Sequence, residues 1–206
     1  SVDNLLSQVG DPIIIAFAKE RNAKIVSKYL IRAGPEEKVG VHGIKNGKPT
    51  VIEYSELTPE ESSERLPNGQ LKFSQSNICN TLISVPFLLE ILNNNDSYSL
   101  LLSRYHVAKK KTEFYDVTSK SLVKSETTNN CFKFELFYFN LFELADKIEI
   151  LEVSREDEFA PIKNATGFDS PESAIKLYSQ RNKCWLEKYN CTFKGNGIID
   201  IDPSLS

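Results

Sequence analysis

Val153 to Asn164 read V-S-R-E-D-E-F-A-P-I-K-N, and this stretch decides more about the chain than any other. An amphipathic element has no need of an Arg and three acids crowded in front of a Pro that presents a single Lys. Arg155, Glu156, Asp157 and Glu158 are expected to form an ion-pair network that positions a loop. Lys163 follows Pro161 at the end of a strand-to-loop passage, where an ammonium fixed beside a sheet end suits a phosphate.

Working outward, Lys147 to Val153 alternates as a strand should, and Ser170-Pro171-Glu172 opens a last helix running to about Tyr189. Upstream, Asp11-Pro12 is a helix start with Asp as cap and Pro in the first turn. Lys24 to Ile31 is β-branched enough for a strand. Val39 to Ile44, Asn46-Gly47 and Pro49 to Tyr54 read as a hairpin with a tight turn. A short helix is expected from Thr58, a strand over Phe73 to Ser84 and a helix over Val85 to Leu92. Asn93 to Asp96 reads as a polar loop and Lys109 to Lys111 as a solvated charge run. Glu113 to Val117 and Ser121 to Lys124 form a small hairpin. Cys131 to Asp146, with aromatics at 132, 134, 137, 138, 139 and 142, suits a buried helix. Strands and helices interleave throughout, which predicts an α/β fold.

The 206 residues, 40% apolar and 26% charged, are enough for a soluble domain with a real core. A net charge of −3 leaves no basic footprint for nucleic acid. No apolar run approaches a membrane span and no signal peptide is visible. The four Cys (79, 131, 184, 191) lack C-x-x-C spacing and are expected to be reduced, mostly buried thiols of a cytoplasmic protein. With only two His, a zinc site is not expected.

Several residues are candidates for chemistry. Asp3, after an apolar residue, is either a helix cap or loop acid or, at the end of a sheet strand, a ligand for Mg2+. Glu53, with Tyr54 at the end of a hairpin strand, either faces solvent or accepts hydrogen bonds from sugar hydroxyls. Asn77 and Asn80 interrupt an apolar strand, so each amide is either satisfied internally or aimed at a ligand. Lys133 is either a surface lysine or within reach of a phosphate.

The stretch at Val153 is very similar to the R-E-x-E-F-[AS]-P-[IL]-K-N segment of eukaryotic UDP-N-acetylhexosamine pyrophosphorylases. Other motifs follow in order. Val2-Asp3-Asn4 resembles V-D-N, Val39-Gly40-Val41 resembles V-G-V, and Val51 to Glu56 resembles V-[VI]-E-Y-S-E. Ser76 to Asn80 resembles G-N-I-A-N, with Ser for Gly and Cys for Ala, and His106 to Lys111 resembles H-x-A-x-K-K. The likeness runs from Val2 to Cys184-Trp185.

The resemblance implies the second half of a nucleotidyltransferase domain, Rossmann-like with a mixed sheet, over residues 1–165. Residues 166–206 would be a helix and the beginning of a small C-terminal domain. It implies uridylyl transfer, in which UTP and N-acetylglucosamine 1-phosphate give UDP-N-acetylglucosamine and pyrophosphate with Mg2+ as cofactor. Asp3 would hold the Mg2+ and the UTP phosphates. Gly40, Glu53, Tyr54 and Asn77 would line the N-acetylhexosamine pocket, with Phe137 and Phe139 beside the sugar. Lys133 and Lys163 would contact phosphate. The Gly-rich G-G-x-G-T-R-L-G loop of that family, which cradles the triphosphate, has no counterpart here. Both ends read as cut, by truncation or because a partner chain supplies the rest, and the chain alone is expected to be inactive. A UDP-glucose or broad UDP-sugar pyrophosphorylase and a non-catalytic sugar-nucleotide-binding module are the alternatives.

Overall fold

The structure, a computed structural model, describes residues 2–124, 129–202 and 204. Its chain order is α1 (Pro12–Glu20), β1 (Ile25–Ile31), β2 (Val41–Lys45), β3 (Lys48–Ile52), α2 (Pro59–Ser63), β4 (Gln75–Ile83), α3 (Val85–Leu92), α4 (Asn95–Ser103), β5 (His106–Lys110), β6 (Glu113–Asp116), β7 (Ser121–Lys124), β8 (Cys131–Glu135), a 3-10 stretch (Tyr138–Leu144), β9 (Glu149–Glu152), α5 (Arg155–Glu158) and α6 (Pro171–Glu187). Five strands form one mixed sheet in the order β3-β2-β4-β1-β9, antiparallel except for β1 beside β9. This is the α/β architecture with a mixed sheet that the sequence predicts.

Local chemistry sets most boundaries. The Asp11 carboxylate accepts the Ile13 N–H at 2.9 Å and caps α1. Asn46 and Gly47 both take positive φ (54° and 75°), the backbone that a two-residue turn between twisted strands requires. Thr58 and Glu61 close a capping box on α2, and Ser170 caps α6.

Two expectations fail for identifiable reasons. Cys131 to Asp146 is not a helix. Its first five residues are β8, paired with β5, and Phe132 and Phe134 point to solvent on the alternation of a strand. Only Tyr138–Leu144 is helical, as a 3-10 stretch that buries Phe139 and Phe142 against Ile25, Val51 and Phe87. Asn93 to Asp96 is not simply a loop either, because the Asn94 side chain accepts the Ser97 N–H and starts α4. The Lys109 charge run lies largely within β5. Contrary to the expectation of mostly buried thiols, Cys184 and Cys191 are exposed and Cys79 and Cys131 half-buried.

The interior holds a charge. Lys28, in the middle of β1, is 0% exposed, and its ammonium lies 2.5 Å from both the Asp11 and the Glu158 carboxylates. Burial acts to raise the Asp11 carboxyl, but Lys28 and the Ile13 N–H outweigh it and hold Asp11 below its ordinary range. Replacing Lys28 with Met should cost about 3–5 kcal/mol, because two buried acids lose their counter-charge, and urea unfolding at neutral pH measures it.

His42 on β2 is 7% exposed, stacked on Phe142, and burial pushes its imidazole down to about 4. The unfolded chain takes up that proton near pH ~6.5, so stability is full above that value and declines as pH falls toward about 4, by about 3 kcal/mol in all. The variant H42L should lose this slope in unfolding curves recorded between pH 7 and 4.

Candidate active site

The segment quoted at the outset is held by partners on other elements. Arg155 pairs with Glu37 at 2.8 Å, Glu158 with Lys28 at 2.5 Å, and Glu156 accepts the Ser154 hydroxyl at 2.8 Å. The anticipated network therefore reaches into the loop before β2 and into β1. Beyond it the chain runs extended, with Pro161 bridged to Asn4 and the Ile162 N–H donating to the Asp3 carbonyl at 2.7 Å. This brings Asp3 beside Lys163, although 160 positions separate them in sequence. Asp3 thus stands on an isolated bridge rather than on a strand of the main sheet. The Lys163 ammonium reaches the Lys38 carbonyl at 3.4 Å, and its own N–H donates to the Asp169 carbonyl at 2.7 Å.

Across from this pair, β4 carries a bulge. Ser27 faces Thr81 but Tyr29 faces Asn77, so Ile78, Cys79 and Asn80 together oppose Lys28. Cys79 takes φ of 56°, and the Asn77 side-chain Oδ1 accepts the Cys79 N–H at 3.1 Å, closing the bulge. That accounts for the asparagine in an apolar strand. Asn77 is both satisfied locally and 5% exposed at the cleft wall, where its amide N–H meets the Cys79 sulfur at 3.6 Å and its side chain also interacts with the Tyr138 hydroxyl. Its backbone N–H donates to the Gly40 carbonyl at 2.8 Å, so Gly40 lies directly opposite.

Gly40 is tight for a reason of its own. A Cβ there would stand 2.8 Å from Val51 Cγ1 and 2.9 Å from Glu53 Oε1. The missing side chain makes room for the Glu53 carboxyl. Glu53 follows β3 in a turn, where its carbonyl accepts the Glu56 N–H at 2.9 Å and its N–H donates to Glu56 Oε2 at 3.0 Å. Burial first, and Glu56 second, raise the Glu53 carboxyl above its ordinary range against the pull of His106 and Lys163.

Asp3, Gly40, Glu53, Tyr54, Asn77 and Lys163 thereby line one cleft of about 340 Å³. Glu53 and Tyr54 also border a second cavity of about 620 Å³, which reaches Phe137 and the His106–Asn140 pair (3.0 Å). Phe137 stacks on Phe139 at 4.8 Å and meets His106 in a tilted contact at 4.8 Å, and Phe139 itself is buried behind it in the core. Lys133 lies outside both cavities, on β8, paired with Glu135 at 2.7 Å. Sequence reasoning missed Cys79 and Lys38 as wall residues; only the asparagines around Cys79 carried a signal. Among the described residues no three or more His, Cys, Asp or Glu side chains converge on a metal position. Any cation at Asp3 would have to bring most of its oxygen ligands as phosphates and waters, a ligand set that suits Mg2+.

No family model matches the chain. It is 34% identical to the UDP-N-acetylglucosamine pyrophosphorylase of Saccharomyces cerevisiae over 209 residues, which take in 100% of this chain and 43% of that protein. The solved uridine diphosphate N-acetylglucosamine pyrophosphorylase of Trypanosoma brucei, in complex with an inhibitor, matches 91% of this chain and 35% of that one, with a TM-score of 0.72 and 31% identity. A variant of UDP-glucose pyrophosphorylase from Leishmania major shares the fold alone, with a TM-score of 0.56 at 17% identity. The fold is thus that of part of the UDP-sugar pyrophosphorylases. No helix among the described residues is long and apolar enough to cross a membrane.

The Gly40 contact has a direct consequence. In Gly40→Ala the new methyl should push the Glu53 carboxyl toward solvent, relieve its burial and bring its pKa back toward the usual ~4.3, as read by carbon NMR titration of the glutamate carboxyls.

Proposed function

We propose that this chain, homologous along nearly its whole length to part of the UDP-N-acetylglucosamine pyrophosphorylases, forms the sugar-phosphate side of a uridylyltransferase. In that reaction an oxygen of N-acetylglucosamine 1-phosphate attacks the α-phosphorus of UTP, a new P–O bond forms, and pyrophosphate leaves with the electron pair of the broken one. The product is UDP-N-acetylglucosamine. The observation that carries the reading is convergence: six residues from five separate segments line one cleft, with an acid and a lysine at one wall and hydrogen-bonding side chains at the other.

Both reactants are anionic, so the protein has to hold them in line and offset the charge. Lys163 would bring its ammonium to the phosphate of the sugar. Glu53, more easily protonated than an ordinary glutamate, can accept or donate a hydrogen bond to sugar hydroxyls. Asn77 presents a side-chain amide at the cleft wall, and Tyr54 and Phe137 supply apolar surface for the ring. Asp3 would hold Mg2+, which when bound would neutralise phosphate charge. The segment that cradles the triphosphate in such enzymes has no counterpart among these 206 residues, so uracil and the β- and γ-phosphates would be held elsewhere.

Calorimetric titration of the chain with N-acetylglucosamine 1-phosphate and Mg2+ tests the reading. Binding should weaken about tenfold or more in Lys163→Ala, since a charged hydrogen bond to phosphate is lost. Equal affinity for glucose 1-phosphate would move the substrate to the UDP-glucose branch. Binding without any UDP-N-acetylglucosamine formed from UTP, by the protein in the form the cell makes it, would leave a non-catalytic module.

A further inference from the structure

Asn4 is 5% exposed and borders the same cleft as Asp3 and Lys163, yet its carboxamide is engaged by backbone groups on both sides. What it does is join two backbones. Its Nδ2 donates to the Glu158 carbonyl at 2.7 Å, and its Oδ1 accepts the Ala160 N–H at 2.8 Å and the Leu6 N–H at 3.3 Å. Around it the main chains add only the Leu5 N–H to the Ala160 carbonyl at 3.1 Å and the Ile162 N–H to the Asp3 carbonyl at 2.7 Å. The pairing of residues 3–5 with 160–162 is an isolated bridge outside every named strand, so no sheet ladder fixes its register. The Asn4 carboxamide, spanning residues 158 and 160, fixes it instead.

Two residues depend on that register. Asp3 is the neighbour of Asn4 on one side of the bridge, and Lys163 lies two residues past Pro161 on the other. Residue 158 is itself immobilised, because its carboxylate is held by the buried Lys28. The line of force therefore runs from β1 through Lys28 and Glu158 to Asn4, and from Asn4 to Asp3 and Lys163.

We infer that Asn4 is a positioning residue that fixes the backbone of residue 3 relative to that of residue 163 and so controls how tightly a phosphate-bound divalent cation is held. The inference rests on the proposed metal role of Asp3. The Asn4 carboxamide borders the same cleft but is already engaged by the backbones of residues 6, 158 and 160. It acts through geometry, and Mg2+ demands a nearly ideal octahedron, so a small displacement of one carboxylate is felt. Outer partners that orient a metal ligand commonly govern about 10- to 100-fold in affinity.

The test uses Mn2+ as the probe, titrated in the presence of N-acetylglucosamine 1-phosphate and followed by water-proton relaxation, which needs no turnover. Five proteins are compared: the parent chain, N4D, N4L, D3N and the double variant D3N/N4L. N4D keeps an acceptor oxygen for the Ala160 and Leu6 N–H groups and replaces the donor to the Glu158 carbonyl with a charged oxygen, which gives a second substitution at the same position if N4L folds poorly. The expected result is a loss of about tenfold or more in Mn2+ affinity for N4L and a smaller loss for N4D. In the D3N background the Asn4 substitution should add nothing, because the group it positions is already gone. A purely structural Asn4 would lower the melting temperature in both backgrounds and leave the Mn2+ affinity of the folded protein unchanged; that result overturns the inference and leaves the proposed function standing. If D3N binds Mn2+ as the parent does, the metal role of Asp3 fails first and the inference falls with it.

Discussion

The buried ammonium of Lys28 is the constraint on which the molecule turns. It sits in β1, an interior strand of the sheet, with no exposure and is met by two acids, one from the cap of α1 and one from α5. Such a group gains little net stability, because removing three charges from water costs several kcal/mol per ion and the Coulomb attraction roughly repays it. Its effect is on specificity of arrangement. An apolar side chain would accept any apolar neighbour, whereas Lys28 accepts only partners that bring carboxylates to one point. The chain must therefore return to β1 twice, at residue 11 and at residue 158.

That second return makes the cleft. Once Glu158 is anchored, the extended run through Pro161 has a fixed start, and Asn4 ties the first residues of the chain alongside it. The opposite wall has its own logic. Bulging β4 around Cys79 turns Asn77 toward the cavity, and the absence of a side chain at Gly40 admits the Glu53 carboxyl. The polar groups that face one another across the gap come from backbone devices, a bulge, a glycine and a bridge, and not from regular strand alternation. Regular β-structure places side chains only above or below a sheet. A site at its edge needs such irregularities.

Much of the local structure was legible. The caps at Asp11, Thr58 and Ser170, the turn at Asn46-Gly47, and the alternation of residues 147–153 each rest on chemistry confined to a few neighbouring residues. The failures share the opposite property. Phe132 and Phe134 read as core aromatics, and only the pairing of β8 with β5 reveals that they face solvent. Lys28 reads as an ordinary strand lysine, since its two acids lie 17 residues before it and 130 after it. Asn77 and Asn80 signalled a departure from strand geometry, but the bulge could be seen only once Thr81 and Asn77 were aligned against Ser27 and Tyr29.

The sequence by itself determined the α/β class, most element boundaries and, through ordered motifs, the kinship with sugar-nucleotide pyrophosphorylases. These follow from local hydrogen bonding, periodicity and residue identity, which act over a few positions. Only the tertiary structure decided which candidate residues share a cavity. It gathered Asp3, Gly40, Glu53, Tyr54, Asn77 and Lys163 at one cleft, set Phe139 behind Phe137 in the core, and left Lys133 on an exposed ribbon paired with Glu135. Proximity between residues 160 positions apart depends on where a buried charge and a buried amide force the chain to return, and no local pattern encodes that.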